Sequence, residues 1–329
     1  MSVLSPPGFL PSGDRGYRHD GLLYDDDAHL VRVAAPFLLD GLAAGEPVVV
    51  TASPRTAGLL RDAVGEHPLL HVVERPAGSR DRTPAAITAL RRQAEQYAVD
   101  GARVRLVGEV DFGATQRDWI EWQRFESVIN EALADWPLWG LCVFDARRLP
   151  PPLLESAVAS HPVLLGPAGA PGVNPGFVDP ATYLRSLPVP HEPLEGTQPR
   201  LTAPDVSDFT GLRHALAREL AGTGGDPDLL EDFRLAVDEM VSNAVRHGRP
   251  PVGLRLWTAA DRIVCTISDG GPGWDDAFAG YGPAHGDDLS RGGMGLWLAR
   301  QLCDHVDISG GHGSPADAGV QVRLTVRLR

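Results

Sequence analysis

The sequence predicts a two-domain α/β protein, and three observations carry that reading. The chain has 329 residues, enough for two units that each bury a core. From about 17 to 186, β-branched runs alternate with helical patterns, the mark of a parallel or mixed sheet with helices packed on it. Residues 187–204, LPVPHEPLEGTQPRLTAP, then hold five prolines, a stiff and poorly helical composition that reads as a linker. Residues 1–16 read as a flexible N-terminus, and 205–329 as the second domain.

In the first domain the elements follow in order. AHLVRVAAPFLLDGLAAG is helical, EPVVVTA (46–52) a strand, and PRTAGLLRDAVG a helix. LLHVVER (69–75) is a strand, TPAAITALRRQAEQYAVDG a helix, and ARVRLVGEV (102–110) a strand. RDWIEWQRFESVINEALAD is a helix and LWGLCVFDA (138–146) a fourth strand. Glu109 and Asp145 close two of these strands, where α/β folds place ligand groups. Together with His19, Glu126, Asn130 and His161 they are candidates for a polar sensory pocket. The competing reading makes all six separately satisfied caps and turn residues. TASPRTAG (51–58) follows a strand but lacks the lysine and glycines of a phosphate loop, so no ATP hydrolysis is expected in this domain. Trp119 and Trp122 are expected in the core or an interface.

In the second domain, DFTGLRHALARELAG is a first helix. DPDLLEDFRLAVDEMVSNAVRHG is a second, with Asp226 as N-cap, Pro227 at the first helical position, and Gly248 with Pro250 and Pro251 ending it. Leu230, Phe233, Val237, Met240 and Ala244 fall at helical spacing and form a core stripe. Glu239 and Asn243 are one turn apart beside it. A carboxylate and an amide there can position a hydroxyl and a Mg²⁺ ion, although a solvated helix face would look the same. RPPVGLRLWT and DRIVCTISDGGPG form a hairpin in which Ile263, Cys265 and Ile267 alternate with Val264, Thr266 and Ser268. The second strand ends in Asp269, followed by Gly271 and Gly273, which let backbone approach a ligand. Residues 274–290 are rich in Gly and Asp and read as a mobile loop. RGGMGLWLARQLCD opens a helix directly after glycines, so its free N–H groups can face a phosphate. GVQVRLTVRLR (319–329) alternates as a closing strand.

Composition removes several classes. The formal net charge is −13 and all 30 basic residues are arginine. A global acidic balance argues against nucleic-acid binding. Without lysine there is neither a phosphate loop of the Walker A type nor the third-strand lysine of a eukaryotic-type kinase. No run is apolar enough to span a bilayer and no secretory pattern opens the chain, so no membrane association and a cytoplasmic location are expected. Cys142, Cys265 and Cys303 are too scattered for a metal or disulfide framework and read as buried thiols.

The order of Glu239-x-x-x-Asn243, Asp269-x-Gly271-x-Gly273 and Gly293-Met294-Gly295 resembles the GHKL ATPase superfamily of histidine kinases, gyrase, Hsp90 and MutL. The short first helix and the compactness most resemble its anti-sigma-factor serine kinase branch, the RsbW/SpoIIAB type. The resemblance implies a GHKL (Bergerat) α/β sandwich with a mixed, mostly antiparallel sheet, and ATP with Mg²⁺ as cofactors. It implies that Asn243 binds Mg²⁺ and that Glu239 is the general base toward a serine hydroxyl. Asp269 would hydrogen-bond the adenine amino group, Gly271 and Gly273 would shape the adenine pocket, and Gly293, Met294 and Gly295 would cover the phosphates. Arg246 or His247 could assist, although packing or surface roles serve them equally. One departure is Gly319-Val320, where the family has Gly-Thr. The lost hydrogen bond is worth only about 0.5–1.5 kcal/mol.

YDDDAHLVRVAAPFLLDGLAAGEPVVV, RLVGEV, WQRFESVINEAL, LCVFDARRLP and His161-Pro162 resemble the MEDS sensory domain, which implies a RecA/KaiC-like α/β/α sandwich over 17–186. The pairing of the two domains resembles RsbA-type anti-sigma regulatory proteins. The implied function is a serine protein kinase of transcription signalling that phosphorylates an anti-anti-sigma (STAS) partner, binds a sigma factor, or does both, under control of the N-terminal domain. Dimerisation is expected by family analogy only. Two alternatives stay open: an ATP-dependent binding switch with little catalysis, and an orphan histidine kinase. The second has room for one short helix only where a phosphoacceptor hairpin is needed, with His191 or His214 as weak acceptor candidates.

Overall fold

A computed structural model describes residues 16–75, 82–98, 102–273, 275–282, 294–310 and 319–328. The chain divides near Leu187 and Pro188 into two compact units.

The N-terminal unit runs β1 (Arg18–Tyr24), α1 (Asp27–Ala43), β2 (Val48–Ala52), α2 (Pro54–Val64), β3 (Leu70–Glu74), α3 (Thr83–Tyr97) and β4 (Val104–Glu109). It continues with α4 (Gln116–Ala132), β5 (Leu138–Asp145), α5 (Pro151–Ser160), β6 (Val163–Leu165), β7 (Pro171–Val173) and α6 (Pro180–Ser186). Its sheet order is β3-β2-β4-β5-β1-β6-β7. The pairs are parallel except β6 with β7. β5 is buried at every position, as a central strand covered on both faces must be. The four expected strands and four expected helices all form. Three strands were not expected. RHDGLLY, which opens on Arg18, His19 and Asp20 and then a glycine, has no strand-like alternation, yet it is β1 beside β5 and carries buried His19 and Asp20. Asp20 is satisfied there by the indole N–H of Trp139, which donates to its Oδ2 at 2.8 Å. β6 and β7 have three residues each, too few for a periodic signal.

The C-terminal unit holds β8 (Leu201–Ala203), α7 (Phe209–Ala221), α8 (Pro227–His247), β9 (Gly253–Thr258), β10 (Arg262–Asp269), α9 (Gly295–Leu302), β11 (His305–Gly310) and β12 (Val320–Arg327). The sheet order is β11-β12-β10-β9-β8, and every one of these pairs is antiparallel. Leu212, Leu216 and Leu220 of α7, Phe233, Val237 and Met240 of α8, and Leu296 and Ala299 of α9 share one core with Ile263, Cys265 and Ile267 of β10. The opposite positions of β10, Val264 and Thr266, are buried as well, so both faces of the sheet are covered.

Part of that second cover is the proline-rich stretch expected as a linker. Its residues from Pro188 onward belong to the C-terminal unit. They form a 3-10 turn over Pro193–Gly196 and then edge strand β8. Glu192 accepts from Arg262 at 2.9 Å, Glu195 pairs with Arg323 at 3.1 Å, and the Thr197 carbonyl accepts from the Trp257 indole at 3.0 Å. Proline has no N–H for a central ladder but is tolerated beside a sheet edge. The composition therefore marked a non-helical strap, not a detached spacer.

The start of α8 is built as expected. The Asp226 side chain accepts from the backbone N–H groups of Asp228 and Leu229, and Pro227 opens the first turn. Because this helix carries Glu239 and Asn243, its cap matters to the site. Asp226→Ala is expected to lower the stability of the C-terminal unit by about 1 kcal/mol, and Asp226→Asn to restore most of it. Thermal unfolding of the three proteins checks this.

Candidate functional site

The buried stripe of α8 is Phe233, Ala236, Val237, Met240, Val241 and Ala244. Glu239 and Asn243 stand at its margin, half-buried. The first residue of α9, Gly295, packs against both. A Cβ there would lie 2.8 Å from Glu239 Oε2 and 3.0 Å from Asn243 Nδ2. The start of a helix thus lies beside a carboxylate and an amide, at a position where a side chain would press on both. Met294 is the N-cap of α9 and has no side-chain capping bond. Gly293 lies outside the described residues, as does most of the expected loop.

At the far end of α8, the Asp269 Oδ1 accepts from the Gly271 N–H at 2.6 Å and the Arg249 N–H at 3.3 Å. These two bonds orient the carboxylate at the end of β10. The walls around it are glycine. A Cβ on Gly271 would lie 2.6 Å from Asp269 Oδ1 and 2.8 Å from the Gly248 Cα, and one on Gly319 would lie 2.4 Å from the Asp269 carbonyl oxygen. Gly273 and Gly319 both adopt positive φ, 77° and 63°, a region other residues rarely enter. Val320 is buried in the core at the start of β12, so its apolar side chain has packing in exchange for the missing hydroxyl. Arg246 and His247 are exposed on the last turn of α8. His191 is exposed in the strap and His214 on α7.

In the N-terminal unit the six expected pocket residues separate into two places. Glu109 and Asp145 line a cavity of about 440 Å³ at the carboxyl ends of β4 and β5, with Ser53, Phe112, Trp119 and Trp122. Glu109 Oε2 accepts from the Ser53 N–H at 2.8 Å, so a carboxylate occupies the start of α2. Asp145 binds Arg147 through both oxygens, and that guanidinium holds its carboxyl below the usual range. Trp122 is buried, as expected, but both indoles also wall this cavity.

The other four converge elsewhere and are joined by Cys142. His19 and Cys142 lie on one face of neighbouring strands β1 and β5, His161 follows α5, and Glu126 reaches down from α4. His19 Nε2 is 3.3 Å from Cys142 Sγ, and both His19 Nε2 and His161 Nε2 are 3.4 Å from Glu126 Oε2. The side chains of His19, Glu126 and His161 are at most 1% exposed. Although these distances suit ion pairs, burial drives every group toward its neutral form. It holds His19 down to about 4 and His161 to about 3, and pushes the Glu126 carboxyl and the Cys142 thiol up. Cys142 gave no sequence signal because its neighbours here are remote along the chain.

With this geometry in place, comparison with known proteins defines the class. Residues 202–326 match the histidine kinase-like ATPase domain, and residues 18–162 match MEDS, the methanogen/methylotroph, DcmR sensory domain. The serine-protein kinase RsbW of Bacillus licheniformis is 30% identical over 137 residues, 38% of this chain and 82% of the relative. RsbW of Halalkalibacterium halodurans is 32% identical over 139 residues (39% and 82%), and that of Bacillus subtilis strain 168 is 30% identical over 140 (39% and 84%). Through its C-terminal unit the chain belongs to the RsbW serine-protein kinase family, with a MEDS domain preceding the kinase region. Among the described residues no helix is long and apolar enough to cross a membrane.

Proposed function

We propose that the C-terminal unit is an ATP-dependent protein kinase. It transfers phosphate to a serine of an anti-anti-sigma (STAS) partner, holds a sigma factor on the same unit, or does both, under control of the MEDS unit. The observation that carries this is Gly295 at the start of α9, seated on Glu239 and Asn243. Added Cβ atoms would press on Asp269 at one place and on Glu239 and Asn243 at the other, so glycine at both keeps these polar groups clear for a nucleotide. Asp269 would receive the adenine amino group, with Gly271 and Gly273 shaping the pocket. Asn243 would hold Mg²⁺, and Gly293, Met294 and Gly295 would cover the phosphates with backbone N–H groups, as suits a chain without lysine. Bound Mg-ATP supplies the phosphoryl group and the cation that offsets its charge. Glu239, one turn from Asn243, would take the proton from the attacking serine Oγ.

Thermal unfolding with and without Mg-ATP tests the pocket. A ligand at 100 times its Kd adds about 2.7 kcal/mol to the unit that binds it. The wild-type C-terminal transition is expected to rise by that order, and the transition of Asn243→Ala to stay at its own nucleotide-free value. No wild-type shift at millimolar Mg-ATP would sink the reading.

A further inference from the structure

We infer that the N-terminal unit holds a zinc-class transition-metal ion at His19, Glu126, Cys142 and His161, a buried site built from strands β1 and β5, helix α4 and the end of α5. The inference rests on the geometry of this unit and is independent of the kinase reading.

The donor atoms already have the spacing a metal needs. One ligand atom from each of the four residues can be chosen so that all lie within 4.8 Å of one another. At zinc bond lengths of about 2.0–2.3 Å, tetrahedral ligands stand roughly 3.3–3.8 Å apart. The His19–Cys142, His19–Glu126 and His161–Glu126 pairs measure 3.3, 3.4 and 3.4 Å.

The surroundings orient the imidazoles for the same purpose. Asn130 Nδ2 donates to the carbonyls of Glu126, Ser127 and Ser160, which turns its Oδ1 toward His19 Nδ1 at 3.2 Å. The Ala157 carbonyl lies 2.7 Å from His161 Nδ1. Each Nδ1 therefore carries the proton, and each Nε2 presents a lone pair to the centre. Metal-bound histidines are held by this outer contact. Gly21 provides the room, since a Cβ there would lie 2.9 Å from His161 Cγ.

An unmet demand remains at the centre. Glu126 Oε1, Glu126 Oε2 and His161 Nε2 are buried with no hydrogen-bond partner. Buried polar atoms are rarely left so, and the protons at hand, those of Glu126 and the Cys142 thiol, are the ones a metal ion would displace. A divalent cation meets all three. It also balances a thiolate and a carboxylate, so the filled site is neutral, as burial requires. Loading sends the Cys142 and Glu126 protons to solvent. Thiolate and imidazole donors select zinc over magnesium or calcium. Four protein ligands make it a closed site that ties β1, α4, β5 and the end of α5 together.

The test uses the full chain, purified under reducing conditions. Metal analysis should find one zinc per chain. After chelation, Co²⁺ should titrate to one equivalent, with visible bands of a tetrahedral ion and a near-ultraviolet thiolate charge-transfer band. Cys142→Ser should lose the charge-transfer band, and the double variant Cys265→Ser/Cys303→Ser should keep it. Asn130→Ala, which frees His19, should weaken Co²⁺ binding about 10–100-fold. A folded wild-type chain with neither retained metal nor a saturable cobalt spectrum overturns the assignment. It would mean that a protonated Glu126 bridges the imidazoles instead. A thiolate band that survives Cys142→Ser also overturns it. Should the single-site variants fail to fold, the wild-type spectrum and the double variant still decide.

Discussion

Glu239→Gln is expected to slow phosphate transfer to a serine acceptor by about 10²–10⁴-fold, the usual worth of a positioned general base. That is roughly 2.7–5.4 kcal/mol of barrier at 1.36 kcal/mol per decade. The substitution keeps the shape of the side chain against Gly295 and removes only the group that accepts a proton. Transfer should be followed by mass shift of a purified STAS protein, with the Mg-ATP thermal shift measured on the same preparation. Lost transfer with a retained shift places the defect in the chemical step. Unchanged transfer would remove Glu239 as the base. A shift without any transfer in wild type would favour the ATP-dependent binding switch.

Gly271→Ala is expected to abolish the nucleotide shift and to cost the C-terminal unit about 1–3 kcal/mol from overpacking. The new Cβ would meet the Asp269 carboxylate at 2.6 Å and the Gly248 Cα at 2.8 Å. One is the group proposed to read adenine, and the other is backbone that cannot rotate away. Gly196→Ala is the matched control, since nothing lies within 4 Å of a Cβ in that turn. It should stay within about 0.5 kcal/mol of wild type. A Gly271→Ala protein that still responds fully to Mg-ATP would show that the nucleotide does not lie against this wall.

The kinase unit was legible in the sequence because its signals are local. Asp226 and Pro227 mark the start of α8, Glu239 and Asn243 sit one turn apart within it, and Asp269 ends a strand whose glycines follow at once. Each pattern is complete within a few residues. The N-terminal cluster has no such unit. His19, Glu126, Cys142 and His161 meet only because β1 inserts between β5 and β6, and β1 itself was hidden by its charges and its glycine. The expectation of one pocket therefore joined residues that the fold keeps apart. Glu109 and Asp145 line a cavity away from the cluster of His19 and His161.

The strap before β8 also decides where an isolated kinase fragment can begin. A fragment covering 205–329 would lose β8, exposing the pairing edge of β9, and would strip Glu192 and Glu195 from Arg262 and Arg323. An uncovered strand edge is a template for another chain. Such a fragment is expected to self-associate, whereas one covering 188–329 should remain monodisperse at its sheet edge. For this protein the cut that looks natural on composition severs a sheet, and the kinase unit keeps its own border only if the prolines stay with it.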